Sequence, residues 1–173
     1  RSRSARAAQS GLGAFAAAIW AALQFWLNVS PFTQGPNPAS TFGNRNFFAE
    51  YMVSALPFSA LLLLRAQTTG RIVFLAASTG LVVITAMMPG TRGALITLLA
   101  LAIVVLPLGA WLFRGQLPCA RWSRGQALVA GGVLLGTVLG LGLVPTGNYT
   151  LVREVYGMRM APLERAAWRL ELA

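Results

Sequence analysis

Two arginines occur in similar positions, each at the start of a long apolar stretch. Arg45 precedes the apolar residues 47–64, and Arg92 precedes the apolar residues 94–113. The first turn of a helix has backbone N–H groups without intrahelical partners and carries the positive end of the helix dipole, so it attracts anions. Arginine adds a full charge and planar donors that suit phosphate oxygens. The two helix starts are therefore a candidate site for a phosphate-like anion.

Polar neighbours extend this candidate site. Asn44 or Asn46 can cap the first of these helices, and Thr91 can cap the second. Glu50 lies one turn after Asn46 and shares its helix face. Its carboxylate either holds one of the arginines in an ion pair or accepts a proton from an acceptor hydroxyl as a general base. The candidate catalytic residues are Arg92 and Glu50, and the candidate binding residues at these helix starts are Asn44, Arg45, Asn46 and Thr91.

The elements that position these residues are predicted membrane-spanning helices. Hydrophobic residues make up 56% of the chain and charged residues only 10%, which is far less charge than a soluble domain carries. Five apolar segments each come near the roughly 20 residues that cross the hydrocarbon core. The sequence predicts an all-α fold, a polytopic transmembrane helical bundle in residues 1–144, with spans near 11–28, 47–64, 72–88, 94–113 and 127–144.

The remaining residues, 145–173, are predicted to begin a segment outside the membrane. The chain has no initial methionine and stops within a helical pattern, so we expect it to be part of a larger protein. Gly132, Gly136 and Gly140 recur at four-residue spacing in the fifth span. This stripe predicts a packing seam, more often against another helix of the same chain than against a second copy.

The net charge of +10 comes from fourteen arginines and four acidic residues. In a soluble protein this charge would suggest nucleic acid, but here the arginines lie in the joints between apolar segments and indicate topology, so the expected partners are membrane lipids and no nucleic acid. The positive-inside rule places the N-terminal end in the cytoplasm, and Arg45 and Arg92 on the opposite face. The clusters assigned to the cytoplasm are Arg1, Arg3 and Arg6, then Arg65 and Arg71, then Arg114, Arg121 and Arg124.

The sequence has few residues that could bind a metal or act as a covalent nucleophile. The sequence contains no histidine, no aspartate and a single cysteine, Cys119. We therefore expect no metal site, no cofactor, and neither a Ser-His nor a Cys-His nucleophile pair in this part of the protein.

Three short motifs follow one another along the chain. The first covers residues 41–51 and is followed by Pro57, the second covers residues 91–94, and the third contains Arg165 and Trp168. In this order and spacing they resemble the bacterial O-antigen ligase and O-antigen polymerase superfamily. The resemblance extends from about residue 18 to the end of the sequence.

The resemblance implies an inner-membrane glycosyltransferase that takes a glycan from undecaprenyl diphosphate. The acceptor, at the periplasmic face, would be lipid A core, a growing glycan or a protein hydroxyl. It implies that Arg92 contacts the lipid diphosphate, that the hinge at Arg45 shapes the same site, and that Arg165 and Trp168 bind substrate. The arginines would stabilise the negative charge that develops on the leaving diphosphate, without a metal.

The sequence also departs from the family pattern. Arg45 stands where the family often has proline, and Thr91 where it often has serine. The family's functional histidine lies in the large periplasmic segment, and these residues contain none. We therefore expect the chain alone to be inactive.

Three other interpretations remain open from sequence, and one of them is a purely structural membrane subunit. Arginines at a membrane edge often only reach lipid headgroups. Anion-attracting helix ends would also serve a transporter of a small anion such as bicarbonate. A transporter is expected to place charge near the bilayer midplane, whereas this sequence keeps its charges at the ends of spans, which favours chemistry at one membrane surface.

Overall fold

The computed structural model describes residues 3–29, 38–112, 122–154 and 157–171, and every regular element in these ranges is helical. The predicted all-α fold is confirmed. Of the residues discussed above, Arg1, Arg114, Cys119 and Arg121 lie outside the described ranges. The helices are α1 (Arg3–Leu27), α2 (Arg45–Arg65), α3 (Thr69–Met87), α4 (Arg92–Ala100), a π-helical turn (Leu101–Val105), α5 (Leu106–Leu112), α6 (Arg124–Gly142), α7 (Tyr149–Glu154) and α8 (Pro162–Glu171).

Four helical stretches are long and apolar enough to cross a membrane: α2, α3, the run from α4 into α5 (Arg92–Gly109), and α6. The apolar part of α1 (Leu12–Leu27) is shorter. Together they form the predicted bundle of about five spans, because each predicted span overlaps one of these helices. The chain is a helical membrane protein.

The central helix is α3, which packs against α1, α2 and α6 and also touches α4 and α8. Small residues permit this close packing, since Ala76, Gly80 and Ala86 are all buried. A Cβ placed on Gly80 would lie only 2.9 Å from the Cβ of Thr137 on α6. The separation of α3 and α6 therefore depends on the missing side chain at Gly80.

Buried polar side chains of α3 are satisfied within the helix itself. The hydroxyls of Ser78, Thr79 and Thr85 donate to the carbonyl oxygens four residues earlier, at 2.7, 2.7 and 2.9 Å. Such bonds remove the cost of placing a hydroxyl in an apolar interior. The middle of α3 thus contains hydroxyl side chains but no charged side chain.

Hydrogen bonds between neighbouring helices fix both ends of the bundle. At the end where α2 and α4 begin, here called the upper end, the Trp26 indole donates to the Val144 carbonyl oxygen at 3.1 Å. At the lower end, the Trp122 indole donates to the Ala66 carbonyl oxygen at 2.6 Å. The helices alternate in direction between these ends, as the topology argument requires. Arg45 and Arg92 start helices at the upper end, whereas the lower end holds Arg65, Arg71 and Arg124.

The glycine stripe on α6 does not form the expected seam with the described helices. A Cβ placed on Gly132, Gly136 or Gly140 meets no atom of the described part of the chain within 4 Å. Close approach on α6 occurs elsewhere, at Thr137 opposite Gly80 and at Gly142 opposite Leu163. The seam therefore follows a different face of α6 from the one that the glycine spacing indicated.

Substitution of Gly80 by valine is expected to destabilise the bundle, because the added atoms force α3 and α6 apart. Overpacking of this kind typically costs about 1–3 kcal/mol. Thermal unfolding in lipid nanodiscs measures the effect. The matched control is Gly136→Val on the open face of α6, which we expect to leave the unfolding temperature almost unchanged. Equal unfolding temperatures for the two variants would contradict this account of the packing.

Candidate functional site

A cleft of about 640 Å³ lies between the first turns of α2 and α4 at the upper end. Its lining includes five of the site residues proposed from sequence and one charged residue, Arg169 on α8, that was not proposed. The lining residues are Arg45, Asn46, Ala49, Glu50, Val53 and Ser54 from α2, Gly90, Thr91, Arg92, Gly93, Ala94 and Thr97 from α4 and the loop before it, and Arg169.

The cleft changes in character with depth. Its α2 wall runs from Arg45 to Ser54, which at about 1.5 Å per residue is a length of roughly 13 Å along the helix. Arg45 and Asn46 lie at the top, and Ala49 and Val53 lie further along the same wall. The site is thus cationic near the helix start, and further along it combines the apolar Ala49 and Val53 with the polar Glu50 and Ser54.

Backbone geometry explains why two helix starts meet here. Asn44 has extended backbone angles, and its side-chain oxygen accepts a hydrogen bond from the Asn46 amide at 2.8 Å. This confirms Asn44 as the cap of α2. Asn44 does not line the cleft. Its contribution to the site in this structure is therefore to fix the first turn that carries Arg45 and Asn46.

Thr91 occupies the corresponding position before α4 but makes no side-chain cap bond. Its hydroxyl oxygen is buried and has no hydrogen-bond partner in the part of the chain that the structure describes. Thr91 lines the cleft together with Gly90 and Gly93. The start of α4 therefore offers backbone donors to a ligand, whereas the Thr91 hydroxyl oxygen is shielded from the cleft.

Glu50 is exposed and lies on the same cleft wall as Arg45. Its carboxylate forms no ion pair with another residue in the described ranges. Of the two roles considered from sequence, the arginine-holding ion pair is thus absent among those residues. With three arginines and one glutamate, the lining carries two net positive formal charges.

Arg165 is fully buried, with 0% of its surface exposed, and it does not line the cleft. It lies beneath Gly90, where a Cβ would be 2.8 Å from the Arg165 Nε. Gly90 has a φ of +63°, a left-handed conformation that favours glycine. The missing side chain at Gly90 therefore makes room for the arginine that anchors α8 behind the site.

Trp168 also lies outside the lining, although its side chain contacts a residue that belongs to it. The guanidinium carbon of Arg169 sits 4.9 Å from the centre of the Trp168 ring. Arg165 and Arg169 are four residues apart and therefore share a helix face. The four-residue spacing from Arg165 is the feature of the sequence that could have pointed to Arg169. It indicates a site residue only once α8 is known to lie beside the cleft.

Pro162 and Glu164 define the start of α8. Pro162 occupies the first helical position, and the Glu164 carboxylate accepts a hydrogen bond from the Ala161 amide at 2.9 Å. Leu163 packs against Gly142 at the end of α6. α8 is thereby held against α3, α4 and α6.

A buried polar network supports the segments that enter the site. The Gln24 side chain accepts from the Ser40 amide at 2.9 Å and donates to its carbonyl oxygen at 3.3 Å. The Asn148 amide group donates to the Gln24 carbonyl oxygen at 3.0 Å, and its oxygen accepts from the Leu151 amide at 3.1 Å. The end of α1 therefore ties the residues before α2 to those around α7.

Comparison of the chain with protein-family models, with curated proteins and with solved structures found no match. The assignment of function therefore depends on the cleft and on the motif resemblance described above.

Gly90→Ala is expected to lower the free energy of unfolding by about 1–3 kcal/mol, because it combines a strained φ with a clash against Arg165. Gly93→Ala is the control, since a Cβ at Gly93 meets no described atom within 4 Å. Alanine at that helical position should be neutral or slightly stabilising. Thermal unfolding of both variants in nanodiscs provides the comparison, and similar losses in both would contradict the proposed role of Gly90.

Proposed function

We propose that this chain is the membrane region of a bacterial inner-membrane glycosyltransferase that uses undecaprenyl diphosphate as its glycan donor. The acceptor is lipid A core, a growing O-antigen chain or a protein hydroxyl. The observation that carries the proposal is the meeting of Arg45, Arg92 and two helix N-termini in one cleft. Phosphate oxygens are the ligands that this combination of donors favours.

The shape of the cleft supports a lipid-linked donor over a soluble anion. The diphosphate would occupy the cationic top, beside the helix starts. The first isoprenoid units would follow the Ala49 and Val53 wall into the bundle. A small anion needs the upper part alone and leaves Ala49 and Val53 without a role.

The arginines supply the main catalytic effect in this mechanism. The acceptor oxygen forms a bond to the anomeric carbon, while the bond between that carbon and the diphosphate oxygen breaks. The bonding electrons leave with the diphosphate, and Arg92 and the α4 helix start stabilise the charge. Glu50 accepts the proton of the attacking hydroxyl as general base.

Topology follows from the charge distribution at the two ends. The upper end, with the cleft, faces the periplasm, and the lower end, with Arg65, Arg71 and Arg124, faces the cytoplasm. α1 begins at the lower end, so the N-terminal end is cytoplasmic. This orientation places the cleft on the side where lipid-linked glycans are transferred.

The distribution of charge within the described helices argues against a transport pathway through the bundle. Charged side chains in the spans lie close to helix ends, as Arg45, Glu50, Arg71 and Arg92 do. The buried polar groups of α3 are hydroxyls bonded to their own helix. A transporter would need polar groups available to its substrate near the midplane.

Replacement of Arg92 tests the proposed donor site. Arg92→Lys should reduce glycan transfer by the full-length protein nearly as much as Arg92→Ala, on the order of tenfold to a hundredfold. Lysine keeps the charge but loses the paired donors. Arg153→Lys and Arg153→Ala, at an exposed position outside the cleft, should transfer at the wild-type rate.

The assay is transfer from undecaprenyl diphosphate-linked glycan in proteoliposomes, with unfolding temperatures confirming that each variant is folded. Full activity in Arg92→Lys would contradict the paired contact between Arg92 and the phosphate oxygens. Full activity in both Arg92→Lys and Arg92→Ala would contradict the proposed donor site. Anion flux without any transfer, with candidate acceptors supplied, would favour the transporter.

Glu50→Gln is expected to separate catalysis from binding. The amide cannot accept the hydroxyl proton, so the turnover rate should fall on the order of a hundredfold. Binding of the lipid diphosphate should be equal or tighter, because the cleft loses a negative charge. Rate and affinity are measured on the same preparation. An unchanged rate would exclude Glu50 as the base.

A further inference from the structure

Arg169 enters the cleft from a third direction. Arg45 and Arg92 belong to α2 and α4, whereas Arg169 belongs to α8. Its Nε is buried and has no hydrogen-bond partner among the residues that the structure describes. Because only its Nε is buried in this way, the terminal nitrogens of Arg169 are the donors left for an anionic ligand in the cleft.

The Arg169 guanidinium is held in place before any ligand arrives. It lies 4.9 Å from the Trp168 ring centre, within the range of a cation–π contact. One turn earlier, the buried Arg165 fixes α8 beneath Gly90. These two contacts restrict the position of Arg169, which reduces the ordering cost of binding.

The arginines enter the cleft from three separate helices, so they can serve two linked phosphate groups. A lipid diphosphate that also carries a glycan presents two linked phosphates, and a lipid monophosphate presents one. The α2 and α4 starts approach the ligand together, and Arg169 approaches from α8. A second phosphate next to the first would bring its oxygens to Arg169.

We propose that Arg169 binds the second phosphate and makes the cleft selective for a lipid diphosphate over a lipid monophosphate. Trp168 and Arg165 are positioning residues in this arrangement, and neither contacts the ligand. The proposal rests on the proposed function and assigns the α8 contact to a different residue from the two that the motif resemblance implied.

The test is equilibrium binding to the whole 173-residue chain in phosphatidylcholine nanodiscs. The probes are a polyprenyl diphosphate and the matching polyprenyl monophosphate. Arg169→Gln should weaken diphosphate binding about tenfold or more, while monophosphate binding changes by less than about twofold. Arg92→Gln should weaken the binding of both ligands, and the exposed control Arg153→Gln should change neither.

Variants of Trp168 test the positioning role. Trp168→Ala should weaken diphosphate binding about threefold, and Trp168→Phe should restore most of it, since a ring still supports the guanidinium. A merely structural role would instead lower the affinities for both probes together. Unfolding temperatures identify misfolded variants. If Arg169→Gln fails to fold, Arg169→Lys takes its place, with the same selective loss expected from its missing fork.

The outcomes separate the two proposals. If the wild-type chain binds neither probe, the proposed donor site fails and this inference fails with it. If Arg92→Gln weakens binding but Arg169→Gln leaves diphosphate affinity unchanged, only this inference is overturned. Equal weakening of both probes by Arg169→Gln would overturn the claim of selectivity.

Discussion

Backbone hydrogen bonding within the membrane is the constraint on which this structure depends. No water is available inside the membrane, so a spanning segment must form hydrogen bonds among its own amides and carbonyls, and it does so as a helix. The buried hydroxyls of α3 likewise bond to carbonyl oxygens of their own helix. Irregular backbone and formal charge are thereby confined to the two ends. At the upper end, the starts of α2 and α4 lie on the same cleft. The cleft is a consequence of that confinement.

The positive charge and the shape of the cleft depend on the residues that line it and on those packed behind it. Its arginines stand beside the first turns of α2 and α4, and Glu50 reduces the net charge without forming an ion pair among the described residues. Behind this layer, Gly90 leaves space for a fully buried Arg165. One glycine therefore links the geometry of the α4 start to the placement of α8, and both contribute side chains to the same cavity.

Local features could be predicted from the sequence, because they depend on neighbouring residues. Hydropathy located the spans, and helix-start chemistry located Arg45, Glu50 and Arg92, all of which line the cleft. The Asn44 cap followed from the same local rules. Arg169 could not be selected, because its proximity to Arg92 depends on how α8 folds back over α3 and α4.

The glycine stripe on α6 also shows that contacts between helices could not be predicted from the sequence of one helix. Four-residue spacing describes a smooth helix face, but it does not say which neighbour will use it. In the described bundle α3 packs beside Thr137 and uses its own Gly80 for close approach. The choice of face was set by the partner helix, and a single-helix pattern carries no information about that partner.

The stretch from α4 into α5 is attached to the bundle mainly by its first turns. Ala94, Leu95 and Leu98 are buried, whereas residues 102–108 are all exposed. The other described helices therefore leave most of this helix uncovered, and its contacts with them lie chiefly beside the cleft. A small tilt of α4 would widen or narrow the cavity without disturbing the packing around α3. Bilayer thickness and lateral pressure, which act on such a lipid-facing helix, would then be coupled to the width of the site.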